Sequence, residues 1–172
     1  MESWDVYDRN RMSTGRKMIR GDKFEAGSYH LVVHVCIFNS KCEMLIQLRH
    51  PQKDAWPGLW DMTVGGSAIS GDSSQMAAER EAFEELGCKL DLSNIRPHLC
   101  INFEQGFDDY YLLNIDIDIE KLTLQQEEVS EVKWASREEI LSLIAKGEFI
   151  PYHESLIDLL FSMRKRYGAL NE

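Results

Sequence analysis

Three glutamates, Glu81, Glu84 and Glu85, are spaced so that all three lie on one face of a helix. Carboxylates this close together repel each other strongly unless a cation lies among them. Ligands that are all oxygen favour a hard cation such as Mg²⁺ or Mn²⁺, and Mg²⁺ held in this way often bridges protein carboxylates and phosphate oxygens. The spacing therefore suggests a metal site for phosphate chemistry, although a Glu-rich helix is more often a solvated face.

The segment that must carry these acids, DSSQMAAEREAFEELG, has a helical pattern. Asp72 is predicted to be its N-cap, with Gln75 as the capping-box partner, and Gly87 is predicted to end it. The apolar side chains on the face opposite the acids are predicted to anchor the helix in the core: Met76, Phe83 and Leu86.

Strands surround this helix on both sides in the sequence. The pattern predicts a hairpin over 4–20, then strands at 29–38, 43–49, 60–69, 95–104, 108–119 and 130–135, followed by two helices. This order indicates an α/β (α+β) layered domain rather than a doubly wound one.

Composition excludes several classes of function. A net charge of −10 over 172 residues argues against binding a nucleic acid polymer, which needs clustered Lys and Arg. The four cysteines are scattered, as is typical of reduced thiols rather than a zinc cage. The N-terminus has no signal-peptide pattern, and no apolar run is long enough to span a membrane. We therefore expect one cytoplasmic domain that binds a small molecule.

The spacing from Gly66 to Cys88 resembles the Nudix box, G-x5-E-x7-R-E-U-x-E-E-x-G-U, in which U is apolar. One defining position departs, because Asp72 stands where the family has Glu. The resemblance implies the Nudix fold, a mixed β-sheet sandwiched between helices. It also implies a single domain over 1–172, with an N-terminal hairpin extension at 1–28 and the box at 66–88.

The same resemblance implies a hydrolase that uses Mg²⁺ or Mn²⁺ to cleave a diphosphate linkage, such as that of a nucleoside diphosphate joined to another moiety. Glu81, Glu84 and Glu85 would then be metal ligands and catalytic residues. Arg80 would orient a box carboxylate by an ion pair. Because Asp72 is one methylene shorter than Glu, a weaker or absent pair with Arg80 is expected, and N-capping could be its whole role.

Further residues are expected around the box. The Gly65 carbonyl is a candidate metal ligand, and Gly66 would let the backbone approach a phosphate. Asp109 is a further candidate metal ligand. The general base could come from the box or from a set of acids in later segments: Asp108, Asp109, Glu127 and Glu128.

The stretch from Ser28 to Gly66 is also similar to the Nudix branch that includes isopentenyl-diphosphate isomerase. Arg49 and Lys53 match basic residues that clamp the substrate diphosphate in that branch, and His30 matches a metal-binding histidine, although a packed strand histidine is the commoner role. The catalytic cysteine of the isomerase is replaced by Gly65, and Ser67 replaces a metal-binding histidine. Isomerase chemistry is therefore not expected.

Two questions remain open in the sequence. The Asp72 departure also permits a non-catalytic nucleotide-binding module that kept the fold. The N-terminal hairpin could pack on its own domain or on a second subunit, so a homodimer is an alternative to a monomer. Four aromatic residues could stack on a base or belong to the core: Trp56, Trp60, Phe107 and Tyr110.

Overall fold

A computed structural model describes residues 2–170. Its strands and helices follow the predicted order, except that the single strand predicted over 60–69 is divided into two short strands with different partners. They are β1 (Ser3–Tyr7), β2 (Ser13–Ile19), β3 (His30–Phe38), β4 (Met44–Arg49), β5 (Trp60–Asp61), β6 (Val64–Ser67), α1 (Ser74–Leu86), β7 (Leu99–Phe103), β8 (Gly106–Asn114), β9 (Val129–Ala135), α2 (Arg137–Lys146) and α3 (Glu154–Met163). Within these residues, no helix is both long enough and apolar enough to cross a bilayer.

Within the described part of the chain, seven strands form one mixed sheet, and β1 and β2 form a separate antiparallel hairpin. The main path of the sheet runs β5-β4-β3-β8-β7, with β6 paired to β3 and β9 paired to β4. The pairing of β3 with β8 is parallel, and the other pairings are antiparallel.

The sheet divides into two halves between β3 and β4. These strands share only the pair Phe38 and Met44 before they diverge, and β6 then runs beside β3 in the space that β4 leaves. Thr63 is fully buried at this division. Its hydroxyl accepts a hydrogen bond from the Ile37 N–H at 2.9 Å and donates one to the Leu45 carbonyl, so one side chain links the two halves.

Each face of the sheet carries its own hydrophobic core. One core contains the buried alanines of α1, together with residues such as Val33 and Val35. The other contains residues of α2 and α3, such as Ile140 and Leu160, packed on Cys36 and Phe38. The predicted mixed sheet between helices, with an N-terminal hairpin, is therefore confirmed.

The N-terminal hairpin packs on its own domain. Tyr7 on β1 bridges to Tyr29 just before β3, and the hairpin tip places Arg11 against Asp109 of β8. The Asp109 side chain is fully buried, whereas that of Arg11 is 34% exposed. Ser74, at the start of α1, also donates a hydrogen bond to Asp109 at 2.6 Å. An acid on the central sheet thus holds the tip of the hairpin.

Arg11→Met should lower the free energy of unfolding by about 2 kcal/mol, because it leaves the buried Asp109 carboxylate without its cation. A fully buried pair would cost about 3–5 kcal/mol, and the exposure of Arg11 reduces this. Urea unfolding measures the change. The double variant Arg11→Met/Asp109→Asn should recover most of the loss, and a double variant no better than the single one would contradict the pairing argument.

His30 makes the fold sensitive to acid. Its ring is buried and stacks on Trp4, with centroids 4.5 Å apart, and burial lowers its pKa to about 4. Between pH 6.5 and 4 the unfolded chain therefore binds a proton at position 30 that the folded chain does not, so the contribution of His30 to stability is complete above pH 6.5 and is lost towards pH 4. The loss should be on the order of 2 kcal/mol.

His30→Phe should flatten this acid limb, since phenylalanine suits a ring cluster that already holds Trp4, Phe24 and Phe103. Urea unfolding at pH 7.5 and pH 4.5 measures the effect. The exposed residue His153 provides the control, because His153→Gln should leave the pH dependence as it is. If His30→Phe lost as much stability at pH 4.5 as the wild type, groups other than His30 would be responsible for the acid sensitivity.

Candidate active site

The two ends of α1 are fixed by local side chains and backbone. The N-cap is Ser73, whose hydroxyl accepts a hydrogen bond from Met76 N–H at 3.2 Å, so the prediction that Asp72 is the cap was wrong. The Asp72 carboxylate instead accepts two hydrogen bonds from the guanidinium of Arg80. The predicted end at Gly87 is confirmed, because this residue has φ 65 and closes the helix in the left-handed conformation.

The face of α1 that meets the sheet consists mainly of alanines. Ala77, Ala78 and Ala82 are fully buried, whereas Met76 and Phe83 are about half exposed. The prediction that Met76 and Phe83 anchor the helix was therefore wrong, although Leu86 is buried as expected. Small side chains let the helix backbone lie close to β3 and β6. This close packing brings the acidic face of α1 over the two glycines of β6.

Gly66 and Glu81 show how close that approach is. A β-carbon added to Gly66 would lie 2.7 Å from Glu81 Cγ and nearer still to the Glu81 carboxyl group. Any side chain at position 66 must therefore displace Glu81. At Gly65 a β-carbon would lie 3.2 Å from His34 Nδ1, a tight contact but not an overlap.

Arg80 ties the loop before α1 to the acids on the helix. Its guanidinium donates to Asp72 Oδ2 at 3.1 Å, to the Ser67 carbonyl at 3.0 Å, to Glu81 Oε1 at 2.9 Å and to Glu84 Oε2 at 3.1 Å. Burial acts to lower the pKa of Arg80, but these acids outweigh it and raise the pKa. Asp72, although shorter than Glu, therefore does reach Arg80.

Two of the three predicted ligands are acids held away from water. The Glu85 side chain is buried, and burial, aided by the neighbouring Glu81, raises its pKa to about 8. Burial also raises the pKa of Glu81, although Arg80 acts in the opposite direction. Glu84 is 49% exposed. Gln47 on β4 donates a hydrogen bond to Glu85 Oε2 at 3.0 Å.

These acids line a polar cavity of about 230 Å³. Four cationic side chains and five acidic ones face it: Arg20, Arg49, Lys53 and Arg80, and Glu2, Glu81, Glu84, Glu85 and Glu128. Gly65, Gly66, Ser67 and Gln125 complete the lining. The structure therefore brings the three glutamates of the box, the two glycines and both predicted phosphate-binding residues to one place.

The basic side of the cavity is held by contacts with the protein. Arg49 donates to Asp61 Oδ2 at 3.2 Å and to the Ala55 carbonyl at 2.9 Å. Lys53 forms an ion pair with Glu128. Burial and the nearby Arg49 lower the pKa of Lys53. These cations are thus positioned by neighbouring groups before any ligand arrives.

The donor set fits a hard divalent ion. It is made of carboxylate oxygens, and the raised pKa of Glu85 shows that its negative charge is poorly compensated as the side chains stand. The acids pair with Arg80 and Gln47, and no three metal-ligating side chains converge among residues 2–170. A bound ion would therefore replace some of the hydrogen bonds that Arg80 and Gln47 make to these carboxylates.

The structure does not bring every predicted residue to the cavity. Asp109 is paired with Arg11 and Ser74, and Asp108 Oδ1 lies 3.3 Å from His34 Nε2. Of the four later acids considered for the general base, Glu128 lines the cavity. His30 packs on Trp4.

The candidate aromatic residues also lie outside the cavity lining. Phe107 and Tyr110 are buried, Trp60 has Lys133 over its ring at 4.6 Å, and Trp56 is half exposed in the loop after β4.

Sequence reasoning missed four residues of the site: Glu2, Arg20, Gln47 and Gln125. Gln47 carried a signal, since it is a lone polar residue in the apolar run MLIQL and shares a strand face with Arg49. Glu2 and Arg20 flank the two strands of the hairpin, and the antiparallel pairing sets them side by side. No local pattern indicates that this end of the hairpin reaches the box.

Known proteins resemble this chain over most of its length. The NUDIX domain family matches residues 28–159. A Nudix hydrolase of Listeria monocytogenes is 47% identical over 164 residues, covering 95% of this chain and 96% of the relative. The chloroplastic isopentenyl-diphosphate Delta-isomerase I of Arabidopsis thaliana is 30% identical over 147 residues, or 74% of this chain and 50% of that protein. The crystal structure of DR0079 from Deinococcus radiodurans aligns with a TM-score of 0.72 at 26% identity, covering 97% of this chain and all of that one.

Proposed function

Because this chain belongs to the Nudix family and is a hydrolase of phosphorus-containing acid anhydrides, we propose that it uses Mg²⁺ or Mn²⁺ to cleave the diphosphate linkage of a nucleoside diphosphate joined to another moiety. The observation that supports this proposal most directly is the pair of buried acids on α1. Burial penalises the charged forms of Glu81 and Glu85 and raises the pKa of both carboxyl groups. A divalent ion would relieve that penalty.

We assign different roles in hydrolysis to the residues that line the cavity. Glu81, Glu84 and Glu85 would hold the ion, with the Gly65 carbonyl as a further candidate ligand. When bound, such an ion neutralises charge on phosphate oxygens and lowers the pKa of water. Arg80 orients Glu81 and Glu84 and remains cationic throughout.

Residues that line the cavity outside α1 would position the substrate and accept a proton. Arg49 and Lys53 would bind oxygens of the diphosphate, and the backbone of Gly66, which also lines the cavity, would lie against a phosphate. Two acids of the cavity lie outside the box, Glu2 and Glu128. Glu2 is already bound by Trp4 and Arg20, so Glu128 would accept the proton of the attacking water. Its ion pair with Lys53 holds it at the wall of the cavity.

Turnover on a substrate panel tests the proposal. The purified protein is incubated with and without Mg²⁺ or Mn²⁺ and with nucleoside diphosphates, triphosphates, nucleotide sugars and dinucleotides, and the products are separated by chromatography. Hydrolysis in ¹⁸O-labelled water shows which phosphorus atom water attacks. We expect metal-dependent cleavage of at least one diphosphate linkage. No cleavage of any compound with either metal would contradict the proposal.

Two alternatives give different results in the same experiment. A non-catalytic nucleotide-binding module would show ligand binding by calorimetry and no turnover. An isomerase would interconvert isopentenyl and dimethylallyl diphosphate, which we do not expect because Gly65 has no side chain to move a proton. Among the described residues, none of the four cysteines lines the cavity. A cytoplasmic location and a homodimer stay predictions from the sequence.

A further inference from the structure

Arg20 reaches the cavity from outside the matched Nudix region. It follows β2 of the N-terminal hairpin, whereas the family match begins at residue 28. Its side chain lines the same cavity as the acids of α1. The backbone N–H of Arg20 donates to the Glu2 carbonyl at 3.0 Å, which fixes this end of the hairpin at the cavity.

The four cations of the cavity differ in how far their donors are already used. The Arg80 guanidinium donates to four groups, and that of Arg49 donates to an acid and a carbonyl. Lys53 is paired with Glu128. Within residues 2–170, the Arg20 guanidinium has a single partner, Glu2 Oε2 at 2.9 Å, out of five N–H donors. Arg20 therefore has the largest unused donor capacity in the cavity.

Exposure separates Arg20 from the other arginines in the same way. Its side chain is 58% exposed, compared with 22% for Arg80 and 12% for Arg49. Glu2 is itself oriented by Trp4, whose indole N–H donates to Glu2 Oε1 at 3.0 Å. The guanidinium is thus tethered on one side by an oriented acid, and Arg20 lines the cavity with most of its donors still available.

We propose that Arg20 is a substrate-binding residue, which donates hydrogen bonds to phosphate oxygens of the diphosphate substrate, and that Glu2 positions it. This inference rests on the proposed function, since it concerns the same cavity. A planar guanidinium suits the recognition of phosphate oxygens by two parallel hydrogen bonds. The N-terminal hairpin then forms one wall of the active site rather than an appendage.

Steady-state kinetics of Arg20→Gln tests the proposal with the best substrate from the panel. We expect KM to rise about 10-fold or more, with kcat within about twofold, because a charge-assisted hydrogen bond to the substrate is lost. Arg20→Lys, which keeps the charge but not the planar fork, should fall between the wild type and Arg20→Gln. Arg16→Gln is the matched control, because Arg16 lies on β2 and pairs with Glu25 and Ser28 outside the cavity. It should leave both constants unchanged.

Calorimetry with inorganic pyrophosphate provides a second measurement that does not depend on turnover. Arg20→Gln should weaken pyrophosphate binding about as much as it raises KM, and Arg16→Gln should not. Kinetic constants and pyrophosphate affinity of Arg20→Gln equal to those of Arg16→Gln would overturn the proposal, as would a fall in kcat with KM unchanged. If the wild type hydrolyses no compound of the panel, the proposed function fails first, so the two failures are distinguishable.

Discussion

Glu84→Gln is expected to lower kcat about 10³-fold, which corresponds to about 4 kcal/mol of lost transition-state stabilisation. The substitution keeps the size of the side chain and removes the charge that a divalent ion needs. Because Glu84 is 49% exposed and pairs with Arg80 at the surface, its loss should change the free energy of unfolding by less than about 1 kcal/mol. This variant should therefore lose most of its activity while keeping nearly all of its stability.

Glu138→Gln is the matched control for that experiment. It makes the same chemical change at an exposed helical position, on α2 across the sheet from α1. Its kcat should equal that of the wild type. Titration with Mn²⁺ should also show weaker metal binding in Glu84→Gln. A wild-type rate in Glu84→Gln would show that Glu84 is not a ligand of the catalytic ion.

Gly66→Ala should also reduce activity by about 10²-fold to 10³-fold, for a steric reason. The new methyl group would occupy the space of the Glu81 carboxyl group. Because that group is the far end of a flexible side chain, Glu81 can rotate away and the fold should survive. The displaced carboxylate would then no longer face the cavity, and a misplaced catalytic group of this kind commonly costs about 10²-fold in rate.

Gly65→Ala is the neighbouring comparison, because its methyl group would meet the His34 ring at 3.2 Å and requires only a small adjustment. We expect a loss of about threefold, a minor effect that a shift of a few tenths of an ångström can absorb. Kinetics and thermal unfolding of both variants measure the difference. Equal losses in the two variants would contradict the steric explanation.

The elements whose signals are local were predictable. Gly87 ends α1 because glycine adopts the left-handed conformation most readily there. The runs at β3 and β4 have the apolar, β-branched composition of buried strands. The spacing of the acids places them on one helix face whatever the rest of the chain does. These features depend on a few neighbouring residues, and the sequence shows those directly.

The orientation of α1 was harder to predict because it depends on what the helix packs against. Hydrophobicity favoured Met76 and Phe83 as the buried side, but α1 packs closely on β3 and β6, and small side chains allow this close approach. Ala77 and Ala78 are fully buried there, whereas Met76 and Phe83 are about half exposed. Likewise, Asp72 was expected to cap the helix, but an arginine eight residues further along the chain competes for its carboxylate.

Contacts between distant segments could not be read from the sequence. Asp109 was placed among the metal ligands, and nothing local shows that the hairpin tip brings Arg11 to it. The same hairpin delivers Arg20 to the cavity at its other end. Both contacts depend on how the N-terminal hairpin packs on the rest of the domain. That packing is determined by surfaces to which many parts of the chain contribute.

The divided sheet has a consequence for how this enzyme could change its substrate range. Gly65 and Gly66 stand on the half of the sheet that follows β3, while Arg49 stands on the half that follows β4. The Thr63 hydroxyl joins those halves from within the core, without lining the cavity. A substitution at Thr63 removes the hydrogen bonds that join the two halves while leaving every residue of the cavity wall intact. We therefore expect the relative position of the two walls, and with it the choice of substrate, to respond to a residue that a comparison of active-site residues would pass over.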